Sequence, residues 1–317
     1  MANQIDPSVL LEDFELGDFC FDGDTHLPCQ HDNFEKLIGI GSGNFGSVSM
    51  YKHKETGSKL ALKKQRFSLE EHPKMDRVVG LEEIKLLQKS TQCEFIVNFY
   101  GAYLYEGHIY IGEELMESSL LQVLEMATEK NILLPEPLLK KIGYSVCTAL
   151  KFLLGINYMH RDIKPSNILL SSDGVFKLCD MGIAGDLIKG VDTQIGCKLY
   201  LPPERLTISH TAYTYKSDIW AVGMTMLELA LGKHPYVKGK SDPTLFEIYG
   251  YALGSPPEPP TTRSEDLQLL ISQCLQNDPL KRPDYTQLLQ MAFLQSAELD
   301  SFVTIDWYKS LCEEHEQ

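Results

Sequence analysis

Short runs in which apolar and polar residues alternate fill much of the first 115 residues of the chain. Alternation with a period of two predicts β-strands, and polar turns such as Glu55-Thr56-Gly57 separate the runs. Apolar residues recur at helical spacing over residues 73–89, which predicts an amphipathic helix. The predicted strands are 34–40, 47–53, 59–64, 97–105 and 108–115. The first part of the chain is therefore expected to be a small, β-rich lobe.

Helical periodicity dominates from residue 135 onward. The segment 138–154 is strongly amphipathic, and 219–231 is apolar nearly all round, as in a helix that is buried in a large core. No internal repeat occurs. The pattern predicts an α+β protein with a small β-rich lobe and a larger helical lobe, together spanning residues 33–292.

The two ends of the chain differ from this pattern. Residues 1–32 contain eight acidic residues, and no lysine or arginine precedes Lys36, which predicts a flexible acidic leader. A docked or autoinhibitory segment is the alternative for this leader. Residues 293–317 are expected to form a helical extension.

Composition narrows the class of protein and its partners. A net charge of −15 argues against nucleic acid or an anionic membrane as the main partner. No apolar run approaches the roughly 20 residues that span a bilayer, and no export signal opens the chain. The eight cysteines show no paired CxxC spacing and are expected to be reduced, which indicates the cytoplasm, with the nucleus as an alternative. The sequence does not indicate an oligomeric state.

A glycine-rich motif lies at the turn between the first two predicted strands. It has the form GxGxxGxV, at Gly41, Gly43, Gly46 and Val48. Glycine lets backbone N–H groups approach phosphate oxygens where a Cβ atom would clash. A Rossmann fold would require a helix to follow, whereas a strand follows here. A phosphate-binding loop and a simple glycine-rich hairpin both fit the motif.

Two further motifs contain residues suited to phosphoryl transfer. Residues 160–167 read HRDIKPSN, and Asp180-Met181-Gly182 follows after twelve residues. Asp162 supplies a carboxylate for a substrate hydroxyl, whereas Asn167 and Asp180 supply an amide and a carboxylate for a metal ion. In this order, behind a glycine-rich loop, the motifs resemble those of a protein kinase. Matching features continue at Pro203-Glu204, Asp218 and Arg282, and the resemblance implies that Arg282 forms an ion pair with Glu204.

This resemblance implies a role for each motif residue. Lys63 would contact the α- and β-phosphates of ATP and pair with Glu83, with Glu82 as the less favoured candidate. Asp162 would orient the substrate hydroxyl and accept its proton, Lys164 would neutralise charge on the transferred group, and Asn167 and Asp180 would hold Mg²⁺. Adenine would lie between the lobes against Glu114 and Met116. The expected ATP-binding residues are Ile40, Gly41, Ser42, Gly43, Asn44, Phe45, Gly46, Val48, Ala61, Lys63, Glu113, Glu114 and Met116.

The finer resemblance is to the dual-specificity MAP kinase kinases. It is found at residues 95–102 (FIVNFYGA), 114–120 (ELMESSL), 177–180 (KLCD) and 200–206 (YLPPERL). Residues 196–198 (GCK) are similar to those of the stress-activated branch. The resemblance implies an ATP- and Mg²⁺-dependent kinase that phosphorylates Thr and Tyr of a MAP kinase and is activated by a MAP kinase kinase kinase. The alternatives are a catalytically weak scaffold and a serine/threonine kinase outside this cascade.

Four features bear on regulation and docking. Gly190 stands at the family's first activation-loop phosphosite, so Thr193 is the expected single site; its phosphate would pair with Arg161. A simple loop hydroxyl is the alternative for Thr193. The acidic leader lacks the family's basic docking motif, which leaves the substrate open. Residues 297–311 resemble a docking segment for the upstream kinase, with a helix that only covers the large lobe as the alternative.

Glu113 is a further departure, because it aligns with the family's apolar gatekeeper position. An unpaired buried carboxylate would cost several kcal/mol, so the group should be protonated, hydrated or paired. One hypothesis is that Glu113 competes with Glu83 for Lys63 and favours an inactive arrangement. The alternative is a glutamate at a strand end that faces solvent.

Overall fold

The computed structural model describes residues 18–21, 26–43, 46–66, 75–181, 185–186, 198–206, 214–237, 243–244, 247–248, 250, 254–295 and 301–313. The chain divides into two compact units, Met1–Met116 and Glu117–Gln317, which are described separately. The first is dominated by a β-sheet and the second by helices. The predicted α+β class, with a β-rich part before a larger helical part, is confirmed.

In the described part of the first unit, the strands form a seven-stranded sheet with the order β2-β1-β6-β7-β5-β4-β3, and the α-helix is α1 (Met75–Ser90). Every neighbouring pair of strands is antiparallel. The five strands expected from the alternating pattern are all present, with bounds that differ by a few residues from those predicted. The strands are β1 (Asp18–Cys20), β2 (His26–Pro28), β3 (Phe34–Gly43), β4 (Gly46–His53), β5 (Lys59–Arg66), β6 (Phe99–Tyr105) and β7 (His108–Glu113).

Strands β1 and β2 correct the prediction of a flexible leader over residues 1–32. Phe19 in β1 is fully buried, and its ring lies 5.2 Å from that of Phe34 and 6.0 Å from that of Tyr103. Its socket exists because Gly101 and Gly112 have no side chains: a Cβ atom on Gly112 would lie 2.2 Å from Phe19 Cε1. Residues 18–20 and 26–28 therefore belong to the sheet, whereas residues 1–17 and 22–25 of the predicted leader lie outside the described residues.

The second unit is built around two long helices, α3 (Glu136–Gly155) and α5 (Tyr215–Leu231). Residues 217–230 of α5 are all buried, as the apolar pattern of residues 219–231 predicted. Further helices among the described residues include α2 (Leu120–Glu129), α4 (Pro203–Leu206), α6 (Glu265–Cys274), α7 (Tyr285–Leu289), α8 (Ala292–Gln295) and α9 (Ser301–Glu313). No helix among the described residues is both long enough and apolar enough to cross a membrane.

Two small sheets in this unit flank the HRDIKPSN motif of residues 160–167, which is called the catalytic loop below. Strands β8 (Ser118–Ser119), β10 (Ile168–Leu170) and β11 (Phe176–Leu178) form one sheet in the order β11-β10-β8. Strands β9 (Tyr158–Met159) and β12 (Gly185–Asp186) form the other. The segment 160–167 therefore begins directly after one strand and ends directly before another, so both of its ends are anchored.

The C-terminal helix α9 packs on the second unit. Thr304 and Leu311 on its inner face are 1% and 2% exposed, whereas Asp306 and Lys309 on its outer face are exposed. The Lys130 ammonium donates a hydrogen bond to the Leu311 carbonyl near the end of the helix. The inner face of α9 covers part of the second unit, as expected from the alternative in which residues 297–311 form a helix that covers the large lobe. Recruitment of an upstream kinase by this segment stays a prediction.

Candidate active site

The glycine-rich motif forms the turn region between β3 and β4. Gly46 has φ +146°, and a Cβ atom there would lie 1.9 Å from the Lys64 carbonyl oxygen, so the fold itself requires glycine. A Cβ atom on Gly41 would meet nothing closer than Val48 Cβ at 4.0 Å. No atom of the described residues explains the glycine at 41, and the space beside it suits a ligand that approaches the backbone. Asn44 and Phe45 lie outside the described residues.

Lys63 is a buried residue of β5 and forms an ion pair within the first unit. Its Nζ donates to Glu83 Oε1 of α1 at 2.7 Å, which is the pairing that the sequence predicted. Gln65 Nε2 donates to the other oxygen, Glu83 Oε2, at 2.5 Å. Both oxygens of a fully buried carboxylate are therefore bonded, as burial of an ion pair requires. Sequence reasoning missed Gln65, although its spacing of two from Lys63 places both on one face of the strand.

The expected adenine-binding residues lie on β4, β5 and the chain that follows β7. Val48 pairs with Lys63 in the sheet, and Ala61 of β5 is buried. The Glu114 amide donates to the Asn98 carbonyl at 2.9 Å, and the Glu114 carboxylate accepts the Asn98 amide at 3.2 Å. Two hydrogen bonds therefore hold the backbone at Glu114. Of the other expected residues, Ile40, Ser42 and Gly43 lie in β3, and Met116 is half-buried.

Glu113 is the last residue of β7 and stands opposite Ala61 in β5. It is only 8% exposed, so the interpretation of a solvent-facing glutamate is wrong. The strand register explains the burial, because β5 and β6 flank β7 on both sides at this position. The proposed competition with Glu83 for Lys63 stays a prediction.

In the second unit, Asp218 of α5 holds the start of the catalytic-loop motif. Its two carboxylate oxygens accept the backbone N–H groups of His160 and Arg161, each at 2.9 Å. Arg161 has φ +71°, in the left-handed region that residues with a side chain seldom adopt. The two charge-assisted bonds from Asp218 stabilise this conformation. The sequence indicated Asp218 only as part of a structural signature, not as the residue that shapes the loop.

His160 joins the catalytic loop to the segment that carries Asp180. Its Nε2 lies 3.0 Å from the Cys179 carbonyl, and its Nδ1 accepts the Asp162 amide at 3.3 Å. A carbonyl can only accept, so the ring is protonated on Nε2. The Cys179 amide also donates to the Asn167 carbonyl at 3.1 Å. Cys179, which directly precedes Asp180 in the chain, is therefore bonded to the catalytic loop at both its carbonyl and its amide. These bonds restrict the position of Asp180, whose φ is +62°.

Three predicted residues meet around the Asp162 carboxylate. Lys164 Nζ donates to Asp162 Oδ2 at 2.5 Å, and Asn167 Nδ2 donates to the same oxygen at 2.9 Å. Asn167 Nδ2 also donates to the Asp162 backbone carbonyl at 2.8 Å. The Asp162 side chain is only 7% exposed, so the orientation of its carboxylate is set by these hydrogen bonds rather than by solvent.

The oxygen donors near this carboxylate fit a magnesium ion. Asn167 Nδ2 is used in bonds to Asp162, whereas the Asn167 amide oxygen accepts one long bond from Ser166 Oγ, at 3.4 Å, and keeps a lone pair that suits a metal. Asp180 adds a carboxylate. Mg²⁺ prefers such oxygen ligands and usually takes the rest from water and phosphate. Among the described residues, no group of three or more His, Cys, Asp or Glu side chains forms a complete metal site. Because Mg²⁺ bound by one or two protein oxygens takes its other ligands from water and phosphate, Asn167 and Asp180 suit a metal that arrives with a phosphate ligand.

A bidentate ion pair anchors the segment after residue 198. Arg282 donates from Nη1 to Glu204 Oε1 at 2.6 Å and from Nη2 to Glu204 Oε2 at 2.7 Å. The guanidinium lies 5.0 Å from the ring centroid of Trp220 in α5. This is the partner predicted for Glu204. Thr193, Gly190 and residues 196–197 lie outside the described residues, so the phosphosite stays a prediction.

A buried polar cluster beside this segment was not expected from the sequence. Tyr200 donates its hydroxyl to Glu228 Oε2 of α5 at 2.5 Å, and the Tyr200 ring lies 5.0 Å from that of His234. Burial raises the pKa of Glu228 to about 7 and lowers the pKa of His234 to about 4. A glutamate within an otherwise apolar helix pattern was the available signal, because a buried carboxylate needs a partner.

Comparison with known proteins gives one consistent family. The family model "Protein kinase domain" matches residues 34–294. Dual specificity mitogen-activated protein kinase kinase sek-1 of Caenorhabditis elegans is 36% identical over 268 residues, covering 82% of this chain and 78% of that protein. Protein kinase wis1 of Schizosaccharomyces pombe is 35% identical over 275 residues (84% of this chain, 44% of wis1).

A third relative, MAP kinase kinase PBS2 of Saccharomyces cerevisiae, is 36% identical over 285 residues (86% of this chain, 42% of PBS2). The chain therefore spans less than half the length of the two yeast relatives. The family match covers the glycine-rich motif, the Lys63–Glu83 pair and the loop around Asp162. The chain belongs to the protein kinase family, and within it to the group of MAP kinase kinases.

Proposed function

We propose that this protein is a MAP kinase kinase that uses ATP and Mg²⁺ to phosphorylate Thr and Tyr in the activation loop of a MAP kinase, within a stress-signalling cascade. The observation that carries the proposal is the Asp162 carboxylate, oriented by Lys164 and Asn167 within hydrogen-bond distance. The names of the relatives, which include a dual-specificity mitogen-activated protein kinase kinase, support the choice of substrate class.

The chemistry follows from the groups around Asp162. The Asp162 carboxylate accepts the proton of the substrate hydroxyl as the hydroxyl oxygen bonds to the γ-phosphorus, and the bond from that phosphorus to the β–γ bridging oxygen breaks, so that ADP leaves. Lys164, 2.5 Å from the carboxylate, offsets the negative charge of the transferred group. When bound, Mg²⁺ supplies charge neutralisation at the phosphate oxygens, and Asn167 and Asp180 would hold it. Most of the catalytic effect comes from positioning and electrostatics, for which a rigidly bonded loop is suited.

Lys63 handles the phosphates that stay with the nucleotide. Its ammonium, paired with Glu83, binds the α- and β-phosphates. Gln65 fixes the second Glu83 oxygen, so that the carboxylate presents one oxygen to Lys63. The residues needed for phosphoryl transfer are thus all present, some in the first unit and the rest in the second. Their presence favours an active enzyme over the scaffold alternative.

The regulation we propose is phosphorylation of Thr193 by an upstream MAP kinase kinase kinase. A phosphate adds about two negative charges and can pair with a nearby arginine, for which Arg161 is the candidate. Since Gly190 replaces the family's first site, one phosphate is expected to suffice.

A panel of kinase-dead MAP kinases provides the test. Each is incubated with Mg-ATP and the wild type, Asp162→Ala or Thr193→Glu, and phosphorylated residues are identified by mass spectrometry. Glu258→Ala is the matched control, because Glu258 is an exposed carboxylate in a loop. Thr and Tyr phosphorylation that survives in Glu258→Ala and vanishes in Asp162→Ala is expected.

Other outcomes favour the alternatives. Phosphorylation of serine or threonine alone, with no phosphotyrosine on any MAP kinase, favours a serine/threonine kinase outside the cascade. Tight binding of a MAP kinase without transfer by any variant favours the scaffold, which the buried Glu113 carboxylate at the gatekeeper position also fits.

A further inference from the structure

Strand β1 lies against the two strands that lead to the expected adenine-binding residues. Phe19 of β1 pairs with Gly101 of β6, and Gly101 in turn pairs with Gly112 of β7. A Cβ atom on Gly101 would lie 2.2 Å from the Asp18 carbonyl oxygen, and one on Gly112 would lie 2.2 Å from Phe19 Cε1. The backbone of β1 and the Phe19 ring therefore rest directly on the β6–β7 pair.

This contact is on the side of the sheet away from the expected nucleotide. Successive positions of a strand face opposite sides, so positions 112 and 113 do not share a face. Glu113 stands opposite Ala61, which is among the expected ATP-binding residues. Phe19 therefore supports β7 from behind, one residue before Glu113 and two before Glu114.

The β6–β7 pair is irregular at the place where Phe19 contacts it. The register shifts between Phe99 and Gly101, which leaves Tyr100 as an extra residue of β6, as in a β-bulge. A bulge interrupts the ladder of hydrogen bonds and bends the strand. The Phe21 ring lies 5.4 Å from the Tyr100 ring, so residues 18–21 contact the irregular residue as well. Packing of β1 consequently determines more of the strand position here than it would along a regular ladder.

The chain after β1 is fastened to the same strand of the sheet. Strand β2 pairs with β1, with Leu27 opposite Phe19. Further on, His31 Nδ1 lies 3.2 Å from the Tyr103 hydroxyl, and the His31 ring stacks on that of Tyr105 at 4.1 Å. Tyr103 and Tyr105 both belong to β6. The segment thus holds β6 at more than one point along its length, which fixes the place of Phe19.

We propose that Phe19 is a positioning residue for nucleotide binding. Its ring holds the backbone at Gly112 and thereby keeps Glu114 in the place where adenine is expected to bind. The proposal rests on the proposed function, since it concerns the ATP that the kinase uses. It gives β1 a role in ATP binding in addition to its part in the core. The effect is carried by adjoining groups: the ring on Gly112, the chain to Glu114, and the two hydrogen bonds between Glu114 and Asn98.

The first experiment compares the affinities of ADP and adenosine by calorimetry. Phe19→Leu keeps an apolar side chain but loses the planar ring, and it is expected to raise both dissociation constants by the same factor, about threefold to tenfold. The factor is the same because adenine is common to the two ligands. A general loosening of the first unit would also disturb Lys63 and would weaken ADP more than adenosine.

Phe34→Leu is the matched control. It makes the same substitution in the same aromatic cluster, but Phe34 lies in β3, which does not pair with β7. Both dissociation constants should match those of the wild type. Urea unfolding of the two variants separates a loss of stability from a loss of affinity. Phe19→Met, which keeps more of the side-chain volume, is a second variant and should show the same effect at a smaller size.

The second experiment measures hydrogen exchange without nucleotide. The Glu114 amide, which donates to the Asn98 carbonyl, should exchange at least about threefold faster in Phe19→Leu than in Phe34→Leu. Equal exchange in the two variants, or an equal loss of affinity in both, would show that Phe19 only stabilises the core. Failure of the wild type to bind either ligand would instead overturn the proposed function, and exchange at Glu114 would still decide whether Phe19 holds this segment.

Discussion

Replacement of Phe19 by alanine tests whether the N-terminal strands are part of the folded unit. The ring is fully buried against Phe34 and Tyr103, and its floor is the backbone of Gly101 and Gly112. Phe→Ala in a core costs about 3–5 kcal/mol, and the cost is higher where the cavity cannot collapse. A floor of paired backbone strands cannot move into the space, so we expect about 4 kcal/mol or more.

Gly112 offers a compensating change that sharpens this test. A Cβ atom on Gly112 would lie 2.2 Å from Phe19 Cε1, so Gly112→Ala alone should destabilise the protein by about 1–3 kcal/mol through overpacking. With Phe19→Ala the clash disappears and the new methyl group fills part of the cavity. The double variant should therefore be more stable than the sum of the two single effects predicts.

Urea unfolding followed by circular dichroism measures all four proteins. Phe21→Ala is the matched control, since Phe21 lies in the same segment and is only partly buried; a smaller loss, about 1 kcal/mol, is expected. The reasoning is wrong if Phe19→Ala costs no more than Phe21→Ala. It is also wrong if the effects of Phe19→Ala and Gly112→Ala simply add, because the two positions would then not be in contact.

Three further predictions concern titration, the gatekeeper position and the buried ion pair. Burial raises the pKa of Glu228 from 4.5 to about 7, so its carboxyl binds a proton more tightly when folded, and the stability it contributes is lost as pH rises through this range. Relative to wild type, Glu228→Gln should gain about 3 kcal/mol in the free energy of unfolding between about pH 4 and about pH 8, measured in urea; a parallel pH profile would refute this. His234→Phe should act in the opposite sense, because the lowered pKa of His234 costs stability as pH falls below 6.5. Glu113→Met should raise ATP turnover several-fold in a steady-state assay if Glu113 competes for Lys63; equal or lower turnover would contradict the hypothesis. Arg282→Met leaves the Glu204 carboxylate without its bidentate partner and should cost about 3–5 kcal/mol in thermal unfolding, whereas Lys281→Met, on the exposed neighbour, should cost little.

The sequence by itself determined the features that depend on local spacing. A strand over 59–64 followed from alternating apolar residues, and a buried helix over 219–231 followed from apolar residues nearly all round it. The structure has these elements at Lys59–Arg66 and Tyr215–Leu231. Asp162, Lys164 and Asn167 could be grouped from sequence because five residues of chain bring their side chains within hydrogen-bond distance. The family resemblance added the Lys63–Glu83 pairing, which no local pattern contains.

Tertiary structure alone decided the contacts between residues far apart in sequence. Strands β1 and β2 are three residues each, too short to show a period, and they exist because Phe19 finds a socket at Gly101 and Gly112. Asp218 shapes the loop at His160 from 58 residues away, and Tyr200 meets Glu228 from 28. A periodic pattern shows which side of an element is buried, whereas the partner of a buried polar group depends on how distant elements pack.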